Sequence, residues 1–246
     1  MVQFEKVTFH SRRSNVIARQ GMVATSQQVH GKIGRIQIKG VDSKDKVVVR
    51  RLDYTGEDHT LLLPLWAGVP DSQLAQIMVN RTILNAERFD RAFGIPACPL
   101  VPNAEADSAC LSVYLPWNQL ICEGLLAYGF RKEAARLVVH MMTGIVQNLK
   151  GKRAFYQRYH AETGQGLGER NAISGLAPVG LFMKVLGVQV LLPTRVRLEG
   201  KNPFPGPVTI QYKGLKIVRG LDRTEVIFPN GKSVMVDDSA PCIISL

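Results

Sequence analysis

WNQLICEGLLAYGFRKEAARLVVHMMTGIVQNL, residues 117–149, decides how the chain folds. Its second half places Ala134, Leu137, Val138, Met141, Met142, Ile145, Val146 and Leu149 on one stripe. Steps of three and one match the 3.6-residue period of an amphipathic helix over 131–149. Residues 117–128 read as the helix before it, ending at Gly129, which reaches the left-handed conformation of a helix C-terminus without steric cost. Gly129-Phe130 is then the short link of an antiparallel αα-hairpin.

Two more helices follow from the same pattern. Residues 71–93 carry Leu74, Ile77, Met78 and Leu84 toward a core, and Asp71 after Pro70 is placed to cap the start. Residues 172–186 form a fourth helix that stops at Gly187. Beyond residue 191 the period changes from 3.6 to 2. Val208, Ile210 and Tyr212 alternate, Lys213-Gly214 turns the chain, and Leu215 and Ile217 follow. Residues 224–228 are another strand, Asn230-Gly231 a hairpin turn with positive φ at both positions, and 233–236 the return. Upstream, Val7 with Phe9, and Ile36 with Ile38, alternate with polar residues; a turn at 40–46 and Val47–Val49 then suggest a hairpin. The fold class is mainly α with a β tail. Its regions are a strand-containing segment (1–60), a helical domain (61–190) and an antiparallel β tail (191–246).

Composition narrows the function classes. Of 246 residues, 46% are hydrophobic, as in an ordinary globular protein. No run is apolar enough for a membrane helix, since Lys184 and Gln189 break the best candidate at 175–192. The first residues, MVQFEKVTFHSRR, lack a signal-type apolar core, so a cytoplasmic protein is expected. Cys98, Cys110, Cys122 and Cys242 make no C-x-x-C pair and the five histidines no H-E-x-x-H spacing, so they read as free thiols, with no metal or cofactor. The net charge of +11 is dispersed, with its densest cluster at Lys150, Lys152, Arg153 and Arg158. A solvated basic face is favoured there over a nucleic-acid or phosphate site.

Four segments, in order, resemble the six-hairpin (α/α)-barrel glycoside hydrolases of the trehalase, α-glucosidase and mannosylglycerate hydrolase group. They are LLPLWAGVP (62–70) with FGIP (93–96), LPWNQLICEGLLAYG (115–129), AFYQRYHAETGQGLG (154–168) and the helix from Ile173. The resemblance spans about 61–190, and NPFPGPVTIQYKGL (202–215) is similar to the β segment after the barrel in some bacterial members. It implies a partial (α/α)6 toroid and an inverting glycosidase, in which one carboxylic acid protonates the leaving oxygen and a second carboxylate deprotonates water.

Gln157 stands at the family's general-base glutamate, in F-Y-Q-R-Y where members read F-Y-E-x-Y. The family's acid is an aspartate in an earlier hairpin, and nothing in residues 1–60 resembles that region. Members read Y-W-R-G-x-x-W before the P-x-N helix start, whereas residues 108–114 read SACLSVY, so only Tyr114 keeps an aromatic face. The expectation is a glycosidase-like protein of carbohydrate metabolism, a fragment or catalytically impaired, with a complementary chain or self-association covering the open helical faces. A non-catalytic sugar binder and a basic phosphate scaffold are the alternatives.

Each candidate residue carries two readings. Trp66 is a sugar platform or core. Trp117 and Asn118 open a helix, so Asn118 is a structural cap or a pocket residue. Tyr156 and Tyr159 flank Gln157 and either line a pocket with it or pack beneath it. His160 reads as exposed rather than as a substitute base. Glu162 and Glu169 face solvent. Residues 164–168, GQGLG, read as a flexible turn, since no strand leads into them as a dinucleotide site would need. Gln157 is expected at the end of a helical hairpin, facing one concavity with Trp66, Tyr114 and Asn118.

Overall fold

The computed structural model describes residues 34–40, 42–46, 57–99, 109–237 and 240–246, with the backbone of 12–13 and 22–23. The chain divides into two compact units, Met1–Asp53 and Tyr54–Leu246. In the first, β1 (Arg12–Arg13) pairs antiparallel with β2 (Met22–Val23). Ile36 and Ile38 are exposed and lie outside any strand. Asp45 N–H closes a turn on the Asp42 carbonyl at 3.2 Å, within the turn read from sequence. Val7, Phe9 and Val47–Val49 lie outside the described residues.

The second unit contains helices α1 (Leu63–Trp66), α2 (Ser72–Met78), α3 (Leu115–Ala127), α4 (Arg131–Lys152) and α5 (Val179–Leu186). Its strands are β3 (Ser112–Val113), β4 (Tyr156–His160), β5 (Gly166–Arg170), β6 (Val188–Leu192), β7 (Arg195–Leu198), β8 (Val208–Tyr212), β9 (Leu215–Arg219), β10 (Thr224–Ile227), β11 (Ser233–Val236) and β12 (Cys242–Ser245). They form three antiparallel sheets in the orders β3-β4-β5, β12-β7-β6 and β11-β10-β9-β8.

The αα-hairpin is α3 and α4. Gly129 has φ of 84°, and Phe130 N–H reaches back to the Leu125 carbonyl at 2.8 Å, closing the orphaned end of α3. Ala134, Leu137, Val138, Met141 and Ile145 are buried as the period requires. The buried stripe is narrower than read from sequence: Met142 is half-buried, Val146 is 41% exposed, and Gly144 and Asn148 sit inside instead. Asn148 Nδ2 donates to the Gly164 carbonyl at 2.7 Å, and its Oδ1 accepts from Gly166 N–H at 2.9 Å. A polar residue on the apolar face thus clamps the β4–β5 turn onto α4. None of the described helices is long and apolar enough to cross a membrane.

Several sequence expectations are corrected. The helix over 71–93 stops early: α2 ends at Met78, a π-helical stretch covers Val79–Ile83, and turns follow. Asn85 takes the backbone away from the helix, its Nδ2 bonding the Arg81 carbonyl at 3.2 Å and its Oδ1 the Glu87 N–H at 2.8 Å. Leu74 and Ile77 are exposed, while Ala75, Val79, Ile83 and Phe89 are buried. Asp71 does cap α2, accepting from Leu74 N–H at 2.7 Å. The helix over 172–186 is a 3-10 turn at Ile173–Gly175 followed by α5, with Gly187 in the left-handed region at φ of 73°. Gln157, expected at the end of a helical hairpin, instead lies in a β-hairpin of β4 and β5, and residues 166–168 of the expected flexible turn are part of β5. In the tail, Lys213 and Gly214 both have positive φ, whereas Gly231 does and Asn230 does not. Asn230 Oδ1 instead accepts from Lys232 N–H at 3.0 Å, so the primed two-residue turn is Lys213-Gly214. Strands β6, β7 and β12 have no counterpart in the sequence reading.

Candidate functional site

The G-I-P loop and the start of α3 are locked together first. Asn118 is fully buried. Its Oδ1 accepts from Ile95 N–H at 2.8 Å, and its Nδ2 donates to the Ile95 carbonyl at 2.9 Å and the Tyr114 carbonyl at 3.2 Å. Gly94 beside it has φ of +131°, and a Cβ there would stand 2.8 Å from Val113 Cγ1. The side chain of Asn118 is therefore spent on backbone. We predict that Asn118→Ala lowers stability by about 2–3 kcal/mol, because two buried backbone groups lose their partners. Chemical denaturation reads this directly, and a change below about 1 kcal/mol would contradict the latch.

Tyr114 and Trp117, both half-buried, bracket His59. The imidazole stacks on Trp117 with centroids 5.1 Å apart and meets Tyr114 edge-on at 6.1 Å. His59 had no role in the sequence reading; its one signal was Asp58, whose carboxylate accepts from Thr60 N–H at 2.8 Å and caps the turn into LLLPLW. Burial holds the His59 imidazole below its ordinary value, against the opposing pull of Asp58 and the Pro96 carbonyl. His140 is lowered in the same direction, first by burial and then by Arg136.

A histidine whose folded pKa is depressed stays neutral in the native state, so the unfolded chain binds the extra proton. Its contribution is complete above the ordinary value near 6.5 and is lost as pH falls below that toward the folded pKa. Asp58 and Glu123 are also lowered, so their share is lost at still lower pH, through their folded values. The melting temperature should hold steady from about pH 8 to 7 and fall by about pH 5.5, and His59→Phe should flatten part of that fall. Equal melting temperatures at about pH 7.5 and 5.5 would refute this assignment.

Trp66 stands apart from that aromatic group. It ends α1, is 48% exposed, and donates from Nε1 to Glu123 Oε2 at 3.2 Å. Glu123 also receives Lys184 Nζ at 3.0 Å. Gly124 admits α1 to this point, since a Cβ there would lie 2.7 Å from Trp66 N. Trp66 thus meets α3 through its indole at Glu123 and its backbone at Gly124, well along the helix from Trp117.

Gln157 lies on β4, whose Tyr159 pairs with Val113 of β3. Opposite it the β4–β5 register slips between Tyr156 and Arg158. Gly168, at φ of +75°, takes up the extra residue, and Gln157 Oε1 occupies the space a Cβ there would need. Gln157 is half-buried, and its backbone carbonyl accepts from Ser174 Oγ at 3.4 Å. Tyr156 packs its ring against Gly166, with Lys152 Nζ 5.5 Å from the ring centre. Tyr159 is buried, donates to the Gly175 carbonyl at 2.9 Å and accepts from Tyr156 N–H at 3.2 Å. Burial raises its phenol above the ordinary value.

His160 is buried rather than exposed, and its Nδ1 accepts from Glu162 N–H at 3.2 Å and Thr163 N–H at 3.3 Å. It shapes the hairpin turn, so the residues read as a flexible turn are held. Glu162 is exposed and pairs with Arg91 Nε at 3.0 Å, while Glu169 is exposed on β5.

Tyr114 and Trp117 therefore gather around His59, and Tyr156, Gln157 and Tyr159 share β4, joined to Tyr114 through β3. No described contact carries Trp66 or Asn118 to Gln157. The cavity bounded by Ile83, Phe89, Arg91, Ile95, Leu125 and His140 includes none of these candidates. Among the described residues no cluster of three or more histidines, cysteines or carboxylates could hold a metal.

In chain order the latched G-I-P loop, the αα-hairpin and the Y-Q-R-Y strand are the segments that resemble the six-hairpin glycoside hydrolases. The family model described as Trehalase matches residues 45–176, over half of the chain, and the chain belongs to that family. Among solved structures, the GH63 mannosylglycerate hydrolase from Thermus thermophilus in complex with glucose is similar, at 26% identity and a TM-score of 0.43 over 52% of this chain and 31% of that one. An uncharacterized conserved protein from the same organism aligns at 27% identity and a TM-score of 0.41, covering 52% and 30%. A sialidase aligns at 10% identity and a TM-score of 0.49, covering 77% and 20%. The chain thus spans about a third of the hydrolase's length. No curated protein sequence matches it.

Proposed function

We propose that this chain is a carbohydrate-handling protein of inverting-glycosidase descent whose hydrolytic chemistry is impaired. The reading rests on the F-Y-Q-R-Y stretch inside the family match at 45–176, whose resemblance to the family's F-Y-E-x-Y loop puts Gln157 at the general-base position. An amide can orient a water but cannot accept its proton at neutral pH. The family's acid aspartate has no counterpart in residues 1–60. In this reading the α3–α4 hairpin is part of an (α/α) toroid, and Tyr114, Trp117, Tyr156 and Gln157 flank the sugar, with Tyr159, Trp66 and Asn118 supporting from behind. A complementary chain bringing the missing carboxylate, or a second copy, would cover exposed apolar residues such as Val139 and Val146. The setting is cytoplasmic, and nucleic acid is not a partner.

Calorimetric titration with glucose, mannose and inorganic phosphate at low and high salt tests this against the basic-scaffold alternative. Sugar binding should persist at high salt, because neutral hydroxyls release no counterions. Phosphate binding at Lys150, Lys152, Arg153 and Arg158 would fall steeply. Salt-sensitive phosphate binding with no sugar binding would overturn the proposal.

A further inference from the structure

We propose that Cys98 and Cys110 are a redox-modification site, forming a reversible intramolecular disulfide by exchange with a small disulfide of the glutathione type. Cys98 N–H donates to the Cys110 carbonyl at 3.1 Å, and Ala97 N–H beside it donates to the Ser112 carbonyl at 2.9 Å. The two segments therefore run side by side at the cysteines. Both thiols are free and half-buried, and the Cys98 thiol is hydrogen-bonded to Cys110. A direct backbone hydrogen bond between the two cysteines holds their Cα atoms close together, as a disulfide with its Cα separation of ~4.4–6.8 Å needs. Cys122, by contrast, is fully buried with its thiol on the Ala134 carbonyl.

The chemistry assigns the two thiols different parts. Burial, the Cys110 contact and Asp58 push the Cys98 thiol up to about 12, so Cys98 is the poor attacker. Cys110 as thiolate attacks one sulfur of oxidised glutathione and expels one glutathione thiolate, leaving a mixed disulfide on Cys110. Cys98 then loses its proton and attacks the Cys110 sulfur, held next to it, and expels the second glutathione. Two protein thiols are oxidised, one glutathione disulfide is reduced, and the two released protons go to the departing thiolates or to buffer. The bridge pins the 3-10 turn at Ala109–Leu111, which leads into β3, to the segment whose Ala97 carbonyl accepts from His59 N–H at 2.8 Å. It would fix the link between the His59 aromatic group and the sheet bearing Gln157.

The full chain is incubated with oxidised glutathione at about pH 8, alkylated, and analysed by intact mass and peptide mapping. The expected result is one Cys98–Cys110 link with loss of two hydrogens, reversed by dithiothreitol, and a melting temperature raised by roughly 5–10 °C. Cys110→Ser should abolish the link and Cys122→Ser should leave it. Glutathione retained on either cysteine, both thiols still free under saturating oxidant, or linkage to Cys122, Cys242 or another molecule would each overturn the proposal.

Discussion

The isolated chain is expected to leave aryl α-glucosides and aryl α-mannosides intact, with turnover at the buffer background. Inverting hydrolysis needs one group to give a proton to the leaving oxygen and another to take one from water. Gln157 cannot take it. In the proposed reading, loss of the general base costs on the order of 100- to 10,000-fold, and want of an acid on the other side of the bond would add a further factor. The Gln157 amide is also committed sterically, filling the space over Gly168 at the bulge. Gln157→Ala should therefore change nothing measurable. Gln157→Glu restores a carboxylate in a place that already fits a side chain of that length, so gain of any turnover should appear there before it appears elsewhere. Hydrolysis at ordinary glycosidase rates that survives Gln157→Ala would sink the reading. Sugar binding in the salt titration would remain interpretable either way.

The structure shows which kinds of signal a sequence makes visible. The α3–α4 hairpin was legible because its information is local: a repeated apolar period and one glycine able to adopt a positive φ. The tail strands from Val208 to Val236 were legible for the same reason, being a meander in which each strand pairs with its neighbour. Strand β12 pairs with β7 across residues 195–245, and nothing within either segment advertises the partner. The β4–β5 hairpin was hidden differently. Its second strand begins G-L-G, poor in strand formers, and is held by Asn148 and by the β3–β4 pairing. Tertiary contacts override propensity there.

The same divide runs through the candidate site. Tyr114, Trp117, Tyr156, Gln157 and Tyr159 could be named because they sit inside ordered motifs. His59 could not, because its place is defined by Trp117 and Tyr114 closing on it from a helix more than fifty residues away. Asn118 was visible as a position but not as a role, since its partner is the Ile95 backbone.

Arg219→Ala should lower stability by about 3–5 kcal/mol. Arg219 lies on β9 and is only 3% exposed. Its Nε donates to the Leu186 carbonyl at 3.2 Å, Nη1 to Thr224 Oγ1 at 2.8 Å, and Nη2 to the carbonyls of Glu199 at 3.0 Å and Gly200 at 2.5 Å. No carboxylate is among these partners. Burial and the nearby Arg131 hold the guanidinium below its ordinary value, but its usual value is so high that it stays charged. What stabilises the charge is a set of carbonyl dipoles, one of them Leu186 at the negative end of α5. Arg131 supplies a second guanidinium to the same helix end, donating from Nη1 to Val185 O at 2.9 Å and from Nη2 to Glu199 Oε1 at 3.0 Å. The C-terminus of α5, the β7 exit and β9 are thus tied through two arginines, one from the helical hairpin and one from the tail. Truncating Arg219 takes its donor from one buried carbonyl, two part-buried carbonyls and a buried hydroxyl and opens a cavity, and each unmade buried bond costs about 1–3 kcal/mol before relaxation or water entry. Arg219→Lys should recover little, because one ammonium cannot span acceptors arranged for a planar fork. Urea denaturation followed by circular dichroism and tryptophan fluorescence would measure the loss. Because α5 packs on both α3 and α4, the two signals should fall together in the variant. A loss under about 1 kcal/mol would mean that Arg131 and water satisfy these carbonyls on their own, and that the tail is not anchored through Arg219.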